Sequence, residues 1–374
     1  MANMISSGAK ADKQFYIDAV RSGTSYTLET FFKAGRITKL LDANPDIKVL
    51  LDSGAYSLTN VHSSITCSME EDKDGEKRVS LSTEDFGKLS NLEKVRVSAR
   101  STGGSIGHPL SKMGAIKTGI LKKFIDFSYN DSPEVKKYLD SYIAFIHKYK
   151  EQCHAYVNLD VIYNPERTWE NQKYMESNGL RPMPVFHFGE DHCWLRKYMD
   201  EYDYIGIGGL GQGATKESFI TTSGDVTFRY ILESKQSIKT HGFAVTSLDL
   251  LQRYPYYSAD STTWVKMAGY GKIFIPGFGR DNEPDYTKQP IVLYVSDMGL
   301  QKKVTVGDHY TVKYKGRELE AITKHLDFIG VDRKVLGSSL FERTKANIYY
   351  FSGLMNSGFT PTLYAQVTNR RTFF

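Results

Sequence analysis

A chain of 374 residues, 40% hydrophobic and 24% charged, holds enough apolar material for a sizeable core, which excludes a mainly disordered or collagen-like polymer. The formal charge of +5 favours contact with a polyanion, although whole-chain charge speaks to solubility and association rather than to fold. Cys67, Cys153 and Cys193 form no CxxC pair, no long apolar run occurs, and MANMISSGAKADKQ lacks a signal-peptide core, so a reducing, cytoplasmic setting without a membrane span is expected.

In chain order, short apolar runs ending in small or acidic residues read as buried strands: FYIDAV, IKVLLDSG, HAYVNLDVI, MPVFHFGE, YIGIGGLG, KTHGFAVTS and YYSADS. Between them, PEVKKYLDSYIAFIHKYKEQC, PERTWENQKYMESNG and DHCWLRKYMDEY carry apolar residues at helical spacing, two of them with a proline near the start. This alternation predicts a parallel α/β fold, and a (β/α)8 TIM barrel fits its length best. About residues 60–127 interrupt the rhythm and read as a long insertion after an early strand. From Phe86 to Lys123 the insertion holds eight basic residues against the single acid Glu93. Lys94, Arg96, Arg100, Lys112 and Lys117 of this stripe are candidates for phosphate contact, with a solvated basic face as the alternative. Past Pro290 the pattern turns to mixed strands and helix. The expected organisation is a barrel domain over 1–289 and a C-terminal α+β appendage over 290–374.

Catalytic groups of a TIM barrel project from the C-terminal ends of strands, so acids that close apolar runs are candidates. Asp52 closes IKVLLD, Asp160 closes HAYVNLD and Asp260 closes YYSAD. One such aspartate alone is commonly a cap or turn former. Three converging on one cavity can divide into a nucleophile and a general acid or base, which is the chemistry of glycosidic bond exchange. The run IGIGGLGQG permits close approach of a flat ligand to backbone N–H groups, or equally an anion loop or a tight turn.

The ordered series LDSGAYS, NLDVI, PVFHFGE, IGIGGLGQG, HGFAVTS and SADSTTW, over about residues 47–265, resembles the tRNA-guanine transglycosylase superfamily. It is most similar to the phage and bacterial branch that inserts 7-deazaguanines into DNA. The resemblance implies that Asp260 is the nucleophile at the anomeric carbon and Asp52 the general acid and base at the base nitrogen. It further implies that Ser53 bonds the leaving base and Asp160 reads the guanine edge. Gly209 and Leu210 would meet the base carbonyl through backbone amides, with Gly208 allowing the approach. Tyr56 and Phe243 would cover the two base faces, and His187 stands where the family has a base-contacting glutamine. These residue types match what a flipped guanine needs: flat faces, an edge of donors and acceptors, and a carboxylate beneath the sugar.

The chain departs from the tRNA-modifying members. Their cysteine-rich zinc module has no counterpart after Asp260, so no zinc and no other cofactor is expected, the 7-deazaguanine base being a co-substrate. Their segment after the nucleophile is replaced by STTWVKMAGYGK, which favours DNA over tRNA as the polymer; Trp264 there reads as a packing residue or a stacking wedge. The competing readings are a zinc-free tRNA enzyme, an excising guanine glycosylase, a non-catalytic barrel subunit and a phosphate-binding barrel synthase. Oligomerisation is compatible with all of them.

Overall fold

The computed structural model describes residues 3–7, 27–61, 64–71, 77–80, 95–101, 104–106, 118–125, 129–130, 133–162, 164–209, 223–235, 237–245, 247–296, 306–358 and 360–371. The fold is α/β with parallel strand pairing. In chain order the strands used below are β1 (Asn3–Ser7), β2 (Thr27–Thr30), β3 (Val49–Asp52), β4 (Ser64–Glu71), β5 (Lys77–Ser80), β6 (Val95–Ser101), β7 (Gly104–Ile106), β8 (Thr118–Ile125), β9 (Cys153–Tyr156), β10 (Val185–His187), β11 (Tyr204–Gly208), β12 (Lys239–Gly242), β13 (Ser258–Ser261) and β14 (Lys272–Ile275). The helices are α1 (Ala34–Ala43), α2 (Ala55–Val61), α3 (Pro133–Lys148), α4 (Pro165–Ser177), α5 (His192–Glu201), α6 (Asp225–Ser234), α7 (Leu248–Arg253), α8 (Thr263–Gly269), α9 (Tyr310–Lys313), α10 (Gly316–Phe328), α11 (Leu340–Asn356) and α12 (Thr362–Arg371).

The chain divides into two compact units. Unit one comprises Met1–Glu29, Gly35–Leu50 and Thr240–Phe374; unit two comprises Thr30–Ala34 and Leu51–Lys239. In unit one, β12, β13, β1 and β2 are successive parallel neighbours, with His241 opposite Ser258, Asp260 opposite Ile5 and Ser6 opposite Thr27. β14 pairs antiparallel with a strand at Ile291–Tyr294. Ile273, Ile275 and Leu293 of this ribbon join Ile322 and Leu326 of α10 and Ala346 of α11 in one buried apolar cluster. Burial of that surface is the main stabilising contribution, at about 25 cal/mol per Å². Polar side chains fix its geometry. Asn347 Oδ1 accepts the Phe274 N–H while its amide donates to the Trp264 and Lys272 carbonyls. The buried Arg343 donates to the carbonyls of Ala268, Leu336 and Gly337. Trp264 is buried beneath them, in a packing role.

In unit two, β10 and β11 are parallel neighbours. Helix α3 buries Leu139, Tyr142, Ile143 and Ile146, an i, i+3, i+4, i+7 stripe that reports one apolar face. Helix α4 begins where Pro165 occupies its first turn and the Asn164 side chain accepts the Arg167 N–H; α5 begins where Asp191 accepts the Cys193 N–H. Residues 64–125 carry a five-stranded antiparallel sheet in the order β5-β4-β8-β6-β7. Among the described residues no helix is long and apolar enough to cross a membrane.

Several strands fall where apolar runs ended in the sequence, namely β3, β10, β11, β12 and β13. The run FYIDAV lies outside the described residues. The short β1, built from NMISS, was not legible as a strand because its residues are mainly small and polar. Asp160 does not close a strand: β9 stops at Tyr156, Val157 makes a single bridge to Met183, and Asp160 lies in the loop beyond.

Candidate active site

The sequence-predicted residues of unit two gather around two chain turns. The first follows β3. Asp52 Oδ2 accepts the Gly54 N–H at 3.2 Å, and the buried Ser53 accepts the Ala55 N–H, so side chains of this turn fix its own backbone. From α3, Tyr138 donates to the Ser53 carbonyl at 2.6 Å. Tyr142 lies within hydrogen-bond distance of the Leu51 and Val157 carbonyls. Burial, and next the Asp52 charge, push both phenols above their ordinary range, so they stay neutral donors. Gly54 has φ +82°, and a Cβ there would lie 2.8 Å from Phe32 Cβ, so glycine is required on both counts. Tyr56 follows at the start of α2 with 54% of its surface exposed.

The second turn follows β10, where His187, Phe188, Gly189 and Glu190 reverse the chain. The Glu190 N–H donates to the His187 carbonyl, and Gly189 has φ +96°. His187 Nε2 lies 3.0 Å from Asp160 Oδ2, and Nδ1 lies 3.1 Å from Glu190 Oε1. The His187 backbone N–H donates to Glu190 Oε2 at 3.1 Å. Side-chain exposure is 4% for His187, 3% for Glu190 and 13% for Asp160. Burial by itself would lower the imidazole pKa. The Glu190 charge, together with hydrogen bonds to Asp160 and Glu190, outweighs burial and pushes it up to about 10.

Beside this ring, Gly208 closes β11. A Cβ on it would lie 2.9 Å from His187 Cδ2, so the glycine admits the imidazole. Gly209 has φ +92°, which glycine adopts freely. Leu210 lies outside the described residues. Glu190 carried no weight in the sequence reading. Its signal was an acid three residues after a strand-end histidine, across a glycine turn.

Unit one holds the other set. Asp260 sits in β13 with 7% of its surface exposed. Its Oδ1 accepts the Ala244 N–H at 2.8 Å and lies 3.5 Å from His241 Nε2. Its Oδ2 accepts no hydrogen bond among the described residues. Ala244 has φ 53°, a left-handed conformation that costs an L-residue about 1–2 kcal/mol and here aims the amide at the carboxylate. Gly242 is part of the same construction, since a Cβ would meet Val245 Cγ2 at 2.5 Å. The His241 Nδ1 shares a 2.7 Å hydrogen bond with Ser258 Oγ. Phe243 is half-buried and meets the His241 ring edge-on at 4.6 Å.

Of the basic stripe, Lys94, Lys112 and Lys117 lie outside the described residues. The backbones of Arg96 and Arg100 stand in β6, opposite Phe124 and Ile120 of β8. Among the described residues no three histidine, cysteine or acidic side chains gather as a metal-holding group.

Chemically, unit two offers a fixed, charged hydrogen-bonding cluster with glycine-lined surroundings. Unit one offers a pinned carboxylate with one oxygen unengaged among the described residues. No protein-family model matches the chain, and no curated protein shows significant similarity to it.

Proposed function

We propose that the protein is a base-exchange transglycosylase on a (β/α)8 barrel over 1–289, with a C-terminal appendage over 290–374, that replaces guanine in DNA with a 7-deazaguanine. The observation that carries this reading is Asp260: a nearly buried strand-end carboxylate whose Oδ1 is held by a backbone amide in a strained turn. A carboxylate that needed only to cap a turn would not require a neighbour in the left-handed region. Held in this way, Oδ2 is a preoriented nucleophile for an anomeric carbon.

The reaction has two steps. Asp260 Oδ2 attacks C1′ as the bond from C1′ to the guanine nitrogen breaks, and Asp52 supplies a proton to the departing base. The incoming base then gives a proton to Asp52, its nitrogen attacks C1′, and the Asp260 carboxylate leaves. The sugar stays covalently bound between the steps, which favours exchange over hydrolysis. In this reading Asp160 takes the base edge, the backbone at Gly209 and Leu210 the base carbonyl, and Tyr56 and Phe243 the ring faces. Lys94, Arg96, Arg100, Lys112 and Lys117 contact phosphates, and no resident cofactor takes part.

The test incubates the protein with guanine-labelled duplex DNA or with tRNA and a panel of 7-deazaguanines, beside Asp260→Ala, and reads nucleosides by mass spectrometry. The expected result is 7-deazaguanine in DNA that falls by a factor of at least about 10³ in the variant. Incorporation into tRNA alone would overturn the choice of polymer. Incorporation into neither would overturn the reaction.

A further inference from the structure

The histidine of the HFGE turn has a donor requirement that its neighbours settle. Each imidazole nitrogen of His187 faces a carboxylate oxygen, Nε2 facing Asp160 Oδ2 and Nδ1 facing Glu190 Oε1. Ionised carboxylates only accept, so satisfying both contacts takes an N–H on each nitrogen. Glu190 spends its second oxygen on the His187 backbone N–H, and its carboxylate is almost wholly buried. Both of its oxygens are therefore occupied within the turn. Asp160 is more exposed, and its Oδ1 accepts no hydrogen bond among the described residues. On the side of β11 the ring fits only because residue 208 is glycine, where a Cβ would lie 2.9 Å from Cδ2.

This arrangement transmits rather than contacts. His187 has no ring nitrogen left for a ligand, yet it fixes the rotamer of the one carboxylate in the cluster that keeps an oxygen unengaged. We propose that Glu190 and His187 are a positioning pair that holds Asp160 as an acceptor for a ligand edge presenting two adjacent N–H donors, such as the N1–H and 2-amino group of guanine-type bases. The inference rests on the transglycosylase reading for the identity of the ligand, and on unit two alone for the geometry. It assigns His187 an indirect part in base recognition and brings in Glu190, which then decides selectivity for the 2-amino group without touching it. The raised pKa of His187 agrees with a ring that carries both protons at neutral pH. Replacing Glu190 by glutamine removes the charge that holds the second proton and lets the ring turn neutral, so the hydrogen bond from Nε2 loses its ionic part and holds Asp160 less firmly.

The experiment uses the full chain, with ¹⁵N-labelled histidine for NMR at pH 8 and calorimetric titration with 7-deazaguanine and 7-deazahypoxanthine, which lacks the 2-amino group. In the unsubstituted protein both His187 nitrogens are expected to read as protonated. Loss of a hydrogen bond to a charged acceptor predicts 7-deazaguanine binding about tenfold to a hundredfold tighter than 7-deazahypoxanthine. In Glu190→Gln the ring is expected to read as neutral and the ratio to fall to within about threefold, with cooperative thermal unfolding retained. His187→Gln keeps a neutral donor toward Asp160 and is expected to lose the same selectivity, which covers the case in which Glu190→Gln fails to fold. A neutral His187 in the unsubstituted protein, or an unchanged binding ratio in both variants, would overturn the proposal. Because neither readout needs turnover, selective binding without base exchange would reject the transglycosylase reading while leaving the positioning pair in place.

Discussion

Each of the two units sets an aspartate beside a histidine carried by a strand, and the two pairs are built in opposite ways. In unit two, His187 is clamped between Asp160 and Glu190, with heavy-atom distances of 3.0 and 3.1 Å. In unit one, His241 is held by the Ser258 hydroxyl at 2.7 Å, while its Nε2 stands 3.5 Å from Asp260 and makes no hydrogen bond among the described residues. The first is a closed charged cluster in which the imidazole carries a fixed charge. The second leaves the aspartate lightly engaged, pinned by one backbone amide. The difference fits the proposed division of labour. A reader of a base edge gains from a rigid, strongly polarised acceptor, whereas a nucleophile paired tightly to a cation would be a poorer one.

The largest effect is expected from breaking the clamp. Removing one charged partner of a buried ionic cluster strands the others and typically costs about 3–5 kcal/mol. Glu190→Gln keeps the shape and one acceptor, so its cost should fall at the lower end of that range, read as a drop in the denaturation midpoint. The pH dependence supplies a signature. The folded-state pKa of His187 is raised from 6.5 to about 10, so the folded state binds the extra proton through that window. The contribution is fully present below about pH 6.5 and is lost as pH rises toward 10. Unfolding free energy measured from pH 6.5 to 10 should therefore decline more steeply in the unsubstituted protein than in Glu190→Gln. Parallel curves would mean that the ring does not hold the charge.

A smaller effect is expected at the other pair. Ser258→Ala removes the hydrogen-bond partner of His241 Nδ1 at a fully buried site. Leaving that nitrogen unsatisfied costs about 1–3 kcal/mol. If Ser258→Ala and Glu190→Gln gave the same loss of stability, the contrast between the two pairs would fail.

How much of this was legible in the sequence depended on how far each feature was local. Apolar runs placed β3 and β10 to β13, and prolines marked the starts of α3 and α4, because strand burial and helix starts are decided within a few residues. Asp52 and Asp260 were readable as carboxylates at strand ends. Asp160 was misplaced by four residues because the run HAYVNLD continues apolar after the ladder stops at Tyr156. The antiparallel sheet of residues 64–125 was read only as an insertion, although VRVSARS alternates with the period of a strand. Glu190 escaped because its importance comes from contacts with His187 and from Asp160, 30 residues earlier in the chain. The left-handed Ala244 had no signal at all, since alanine is not a residue that announces a positive φ.

A third histidine sharpens the comparison from the other side. His325, in α10, is buried against the apolar cluster of unit one, with the Phe278 ring edge-on at 6.1 Å and its Nδ1 buried without a hydrogen-bond partner among the described residues. Here nothing offsets desolvation, and burial pushes the imidazole down to about 4. The folded state prefers the neutral ring, so this contribution is fully present above about pH 6.5 and is lost as pH falls toward 4. Between pH 7.5 and 5 the loss amounts to about 1–2 kcal/mol. His325→Leu keeps apolar volume and removes both the unsatisfied nitrogen and the titration. It should be equal to or more stable than the unsubstituted protein at pH 7.5, and its advantage should widen by that amount at pH 5. Thermal denaturation at the two pH values reads the difference directly. An advantage that stays constant would mean that the His325 ring reaches a partner or solvent when it protonates, and that burial in this cluster is not what sets its charge.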